Sequence, residues 1–112
     1  MLLCVDAGFG HMGWSVFNHQ KLIDCGCIKT KKTQIKQTRA ADDRAHRAAI
    51  ITRELLDVIK LWDVYGLVAE LPSGGAKSAR AMADMASATC IVSAVATAAN
   101  IPAEYYTPQM VK

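Results

Sequence analysis

Two short apolar runs, Leu2 to Asp6 (LLCVD) and Val64 to Leu71 (VYGLVAEL), each carry an acid where a buried strand would end. Both runs are short and rich in branched residues, so they read as strands through a core rather than as helices. Between them Ala48, Ile51, Leu55, Val58 and Trp62 recur at steps of three and four, which is one face of an amphipathic helix. The helix opens near Asp42 and Asp43, where acids are favoured by the positive end of the helix dipole. If the second strand lies parallel to the first, as a right-handed crossover permits, Asp6 and Glu70 become neighbours at one edge of a sheet. Like charges that close raise each other's pKa unless a cation lies between them. Oxygen ligands with open water positions suit Mg²⁺, with Mn²⁺ as its substitute, and both ions bind phosphate oxygens. Gly8, Gly10 and Gly13 follow Asp6 and leave room for such a group to approach. Taken singly, Asp6 reads as a turn aspartate and Glu70 as a rim glutamate; the pair carries the metal-site expectation.

The remaining elements follow from period and turn chemistry. Gly13 to Phe17 and Leu22 to Ile28 read as strands joined by the polar turn Asn18 to Lys21, so the chain begins with a three-stranded antiparallel meander. Pro72, Ser73, Gly74 and Gly75 break the pattern after Glu70. An alanine-rich helix is expected from about Lys77 to Asn100, with Met82, Met85, Ile91, Val92 and Val95 as core. Pro102 to Tyr106 forms a late strand, and Thr107 with Pro108 starts another helix as cap and first turn. The order β-β-β-α-β-α-β-α predicts an α/β fold, a mixed five-stranded sheet with helices on both faces.

A chain of 112 residues, 52% hydrophobic and 6% aromatic, suits one compact domain over residues 1–112 with an aliphatic core. The net charge of +3 says little about partners, but its distribution says more. Lys29, Lys31, Lys32, Lys36, Arg39, Arg44, Arg47 and Arg53 face only Asp42 and Asp43 over that segment, a candidate phosphate-facing surface. A solvated loop and helix face accounts for the same run equally well. Cys4 and Cys90 lie in apolar runs and read as small buried hydrophobes, while Cys25 and Cys27 share a strand face. A lone C-x-C pair is poor zinc chemistry, and reduced thiols fit the cytoplasm. The first apolar run is short and holds Asp6, unlike a signal peptide. The apolar stretch near Cys90 to Ala99 is too short to span a bilayer, so a soluble protein away from membranes is expected.

The spacing Asp6, Gly8, Gly13, Val16 resembles the first motif of the RuvC-type Holliday junction resolvases, in the RNase H-like superfamily. Gly26 to Thr30 (GCIKT) resembles the end of that family's third strand, and Glu70 in VAEL falls at its second acid. The run from Ala79 through Val95 and the ending PAEYYTPQMVK resemble its small-residue helix, next strand and V-K segment. The resemblance implies a crossover junction endodeoxyribonuclease of DNA recombination and repair. Its catalytic residues would be Asp6, Glu70 and Lys112, with Asp6 and Glu70 as ligands in a two-metal hydrolysis and Lys112 near the scissile phosphate. It implies branched DNA as substrate and a homodimer as the working form. Lys29, Lys31, Lys32, Lys36, Arg39, Arg44, Lys77 and Arg80 would hold phosphates.

The chain departs from the family in two places. Pro72 to Gly75 stands where relatives carry an aromatic or apolar residue near the junction. The family's two further aspartates, on a final helix, are expected beyond Lys112, as in a fragment of a longer chain; Asp84 is a poor substitute. Two rivals remain. One is a module of the same fold that binds branched DNA or a protein without cutting. The other, an actin-like phosphotransferase, needs a second nucleotide-binding domain that 112 residues cannot hold, so no nucleotide cofactor is expected. His11 is expected to face solvent in the first loop, and His19 and His46 receive no role.

Overall fold

A computed structural model describes residues 1–73 and 78–108. Five strands and two helices occur in the order β1 (Leu2–Asp6), β2 (His11–Asn18), β3 (Lys21–Lys29), α1 (Ala40–Leu61), β4 (Gly66–Glu70), α2 (Ala79–Ala98) and β5 (Ala103–Tyr106). They form one sheet in the order β3-β2-β1-β4-β5. The first three strands are antiparallel, whereas β4 runs parallel to β1 and β5 parallel to β4. The mixed sheet expected from the element order is present, with the meander at one side and the crossover strands at the other.

Strand alternation divides the residues between two faces. Leu3 and Val5 on β1, Met12 and Val16 on β2, Ile28 on β3, and Leu67 and Ala69 on β4 are all buried. They share one core with Ile51, Leu55, Val58 and Ile59 of α1 and with Ala88, Ile91, Val92, Val95 and Ala96 of α2. Both described helices therefore cover the same face. The opposite face presents Leu2, Cys4, Ser15, Phe17 and Val68, none of them fully buried. The helix expected to start at Thr107 and Pro108 would run into residues 109–112, which lie outside the described residues. The expectation of helices on both faces is thus met on one face only among the described residues. Burial alternates along β1, although its residues before Asp6 are apolar on both faces.

Local chemistry sets the helix ends. Asp42 and Asp43 occupy the first turn of α1 and Lys60 the last, matching the dipole at both ends. Asp63 adopts φ 49° and Val64 N–H reaches back to the Ile59 carbonyl, which closes α1 with a Schellman turn. Ser78 caps α2 by accepting a hydrogen bond from Ala81 N–H at 3.1 Å. Asn100, at φ 56°, lets Ile101 N–H bond the Ala96 carbonyl at the other end.

Three readings of the sequence need correction. The second strand begins at His11, not Gly13, because His11 pairs with Lys29 and extends the ladder past the glycines. Met82 is 61% exposed and Cys90 is also exposed, so neither belongs to the core. An alanine-rich helix buries a narrow stripe, and both residues fall on its outer side. Among the described residues α2 is also the one helix long and apolar enough to cross a membrane by length and composition. Its inner stripe is nonetheless packed into the shared core, and it carries Arg80 and Asp84.

Trp14 lies on the backbone of β3 where Gly26 has no side chain. A Cβ at Gly26 would meet the indole ring at 2.7 and 2.9 Å. Gly26→Val should therefore destabilise the fold by about 1–3 kcal/mol, the usual cost of overpacking. A thermal melt would show this as a midpoint lowered by several degrees; an unchanged midpoint would mean that Trp14 is free to swing away.

Candidate functional site

The register of four strand pairs builds a row across the open face. Cys27 pairs with Gly13, Gly13 with Asp6, Asp6 with Glu70, and Glu70 with Tyr106. Directly paired residues share a face, so Asp6 and Glu70 project together from adjacent strands about 5 Å apart. Both are exposed, and neither has an ion pair or side-chain hydrogen bond among the described residues. Ala7 N–H bonds the Glu70 carbonyl at 3.0 Å and Leu71 N–H bonds the Tyr106 carbonyl at 2.7 Å, continuing the ladder just past the acids. Gly13 leaves the flank of Asp6 open, since even a Cβ there would come within 3.7 Å of the Asp6 Cβ. Two bare carboxylates on a rigid edge fit a hard divalent cation that keeps most of its ligands as water. No group of three or more metal-ligating side chains occurs among the described residues, so Asp6 and Glu70 alone would hold the ion from this set.

The turn after Asp6 is clamped from beneath. Gly8 is required there, because a Cβ would strike the His11 carbonyl oxygen at 2.7 Å. Phe9 is 2% exposed and lies under two guanidinium groups of α1, Arg47 at 4.4 Å and Arg44 at 5.0 Å from the ring centroid. The buried Thr30 hydroxyl donates to the Phe9 carbonyl at 2.6 Å and accepts from Arg47 Nε at 3.0 Å. Thr30 N–H adds a bond to the Gly10 carbonyl at 3.0 Å. Arg44 in turn donates to Asp84 at 2.7 Å and Ser87 at 3.3 Å, which ties the turn to α2. None of these contacts was visible in the sequence.

The basic residues separate into different roles. Lys29, Lys31, Lys32 and Lys36 are exposed, as are Arg39 and Arg80. Arg39 is engaged with Asp42 at 2.8 Å in a solvent-facing pair, and that bond pushes its pKa up. Arg44 is half-buried and engaged with Phe9, Asp84 and Ser87. Asp43 is buried and accepts from Thr33 N–H at 3.0 Å, which fastens the lysine-rich loop to α1. Lys77 and Lys112 lie outside the described residues. Tyr106 and Glu104, not singled out in the sequence, extend the face beyond Glu70. The Tyr106 hydroxyl donates to Glu104 at 2.7 Å, and that bond, with the Glu104 charge, pushes the phenol pKa up.

No family model matches the chain, and no curated protein matches it by sequence. Solved structures do match. A structure of T. thermophilus RuvC in complex with a Holliday junction substrate overlays 97% of this chain at TM-score 0.76 and 18% identity. A second Thermus thermophilus RuvC structure overlays 96% at TM-score 0.69 and 18% identity. The fold is RuvC-like. The chain spans 66% and 63% of those two RuvC chains.

Within this RuvC-like frame the clamp on the turn makes a direct prediction. Thr30→Val keeps the shape but strands the Phe9 carbonyl and Arg47 Nε, at a cost of about 1–3 kcal/mol. Chemical denaturation should show that loss, and hydrogen exchange should quicken at Gly8 to His11 before it does at β4. Unchanged stability and exchange would remove Thr30 from the support of the Asp6 turn.

Proposed function

We propose that this RuvC-like chain is a divalent-metal-dependent, structure-selective endonuclease that cuts branched DNA such as Holliday junctions. The observation that carries the reading is the pairing of Asp6 with Glu70, both exposed and unpaired, at the ends of adjacent parallel strands. Mg²⁺ or Mn²⁺ bound there would supply an activated water and neutralise charge on the leaving oxygen. Asp6 and Glu70 would hold the ion, and the clamp through Phe9 and Thr30 keeps Asp6 from drifting away from Glu70. Further carboxylates brought over the open face would complete its protein ligands. Lys112 would lie near the scissile phosphate, where a cation offsets developing negative charge. Lys29, Lys31, Lys32, Lys36, Arg39, Lys77 and Arg80 would track the DNA backbone. Two copies would act together as a cytoplasmic homodimer, each cutting one strand. The outward face of α2, with Met82, Ala83, Ala86, Cys90 and Ala94 exposed, supports such pairing.

Asp6→Asn and Glu70→Gln should each slow cleavage of a labelled four-way junction by about 100-fold or more, since loss even of an outer partner costs up to that much. Junction binding should survive both changes. Full activity in either variant would remove the acid pair from the chemistry. Exchange of Lys31, Lys32 and Lys36 for glutamate should weaken binding and flatten its salt dependence, by roughly one unit of slope for each phosphate the loop no longer neutralises. An unchanged slope would turn that loop away from DNA.

The second reading is a module of the same fold that binds branched DNA without cutting it. The limited donor set, two carboxylates with no third ligand among the described residues, favours it. Wild-type protein that binds junctions in Mg²⁺ or Mn²⁺ and leaves both strands intact would decide for this module.

A further inference from the structure

We infer that His11 and Lys29 form a binding site for one backbone phosphate beside the acid pair, so that His11 is a substrate-binding residue. The inference deepens the proposed function and rests on it. His11 opens β2 and pairs directly with Lys29 at the end of β3. Direct partners in an antiparallel ladder share a face with Cβ atoms about 4.5–5.5 Å apart. Two steps along β2 lies Gly13, the partner of Asp6, so His11 and Lys29 stand on the acids' face about 7 Å farther along the strands.

Both side chains are exposed, and neither makes an ion pair or hydrogen bond among the described residues. An imidazole and an ammonium group set side by side offer N–H donors with no acceptor between them. A phosphate oxygen accepts from an imidazole N–H and an ammonium group together. The glycine at position 13 leaves the path from this pair to Asp6 clear of any side chain, so one nucleic-acid strand can touch both. His11 cannot drift from this position, because Gly8 packs on its carbonyl and the Gly10 carbonyl is bonded to Thr30 N–H. The ligand is therefore a phosphodiester of the strand whose neighbouring phosphate reaches the acids.

Two measurements test it. Junction affinity is measured across a salt series for Asp6→Asn protein, which binds without cutting, alone and with His11→Gln, Lys29→Gln or both. Each substitution should weaken binding several-fold, Lys29→Gln should lower the salt slope by about one, and the double change should cost less than the sum. Affinities unchanged by either substitution, or losses that simply add, would overturn the shared-phosphate site. Independently of DNA cutting or junction binding, wild-type protein without metal is titrated with inorganic phosphate while the ring signals of His11, His19 and His46 are followed by NMR. The His11 signals alone should move, and Lys29→Gln should weaken the response. A still His11 ring would overturn the inference, whereas a moving ring in a chain that binds no junction would sustain the site and sink the nuclease reading.

Discussion

Everything else in this molecule depends on the parallel pairing of β1 with β4, which sets Asp6 opposite Glu70. Parallel neighbours need a long connection, here through β2, β3 and α1, and Ile51, Leu55, Val58 and Ile59 of α1 share the core with Leu3, Val5, Leu67 and Ala69 of the two strands. The same packing that buries Leu3, Val5, Leu67 and Ala69 turns the alternate residues, including both acids, to the other face. A slip of one residue in this register would send the acids into the core, so the hydrophobic pattern itself enforces their position.

The face that neither described helix covers gives the site its character. Two carboxylates held about 5 Å apart repel unless something positive joins them. In this fold no described lysine or arginine does so, although Arg44 and Arg47 pass close beneath the turn. Those arginines are spent on Phe9, Thr30 and Asp84, which fix the backbone around Asp6 without neutralising it. Support and charge are thus separated: the rigid groups lie on the core side, and the two carboxylates make no ion pair or side-chain hydrogen bond with any described residue.

Most of the architecture was legible from residue patterns. The apolar runs, the three-and-four spacing from Ala48 to Trp62, and the break at Pro72 gave all seven described elements to within a few residues. The adjacency of Asp6 and Glu70 followed from topology alone. What escaped was lateral. His11 looked like a loop residue because glycines on both sides mask a strand whose identity comes from pairing with Lys29. The tie of Arg44 to Asp84 escaped because its partner is 40 residues away on another helix. Met82 and Cys90 looked buried because composition cannot say which side of an alanine helix meets the sheet. That both described helices pack on one face was equally unforeseeable, since β1 and β4 are apolar on both faces up to their acids.

The most direct test of the central claim is where a divalent ion binds. Mn²⁺ added in small amounts to isotope-labelled protein broadens the NMR signals of nearby amides. If Asp6 and Glu70 form a metal site, the signals of Asp6, Ala7, Glu70 and Leu71 should vanish first, those of Gly13 and Tyr106 next, and Asp6→Asn should abolish the effect. Broadening centred instead on the acids of α1, or none at all, would contradict the account.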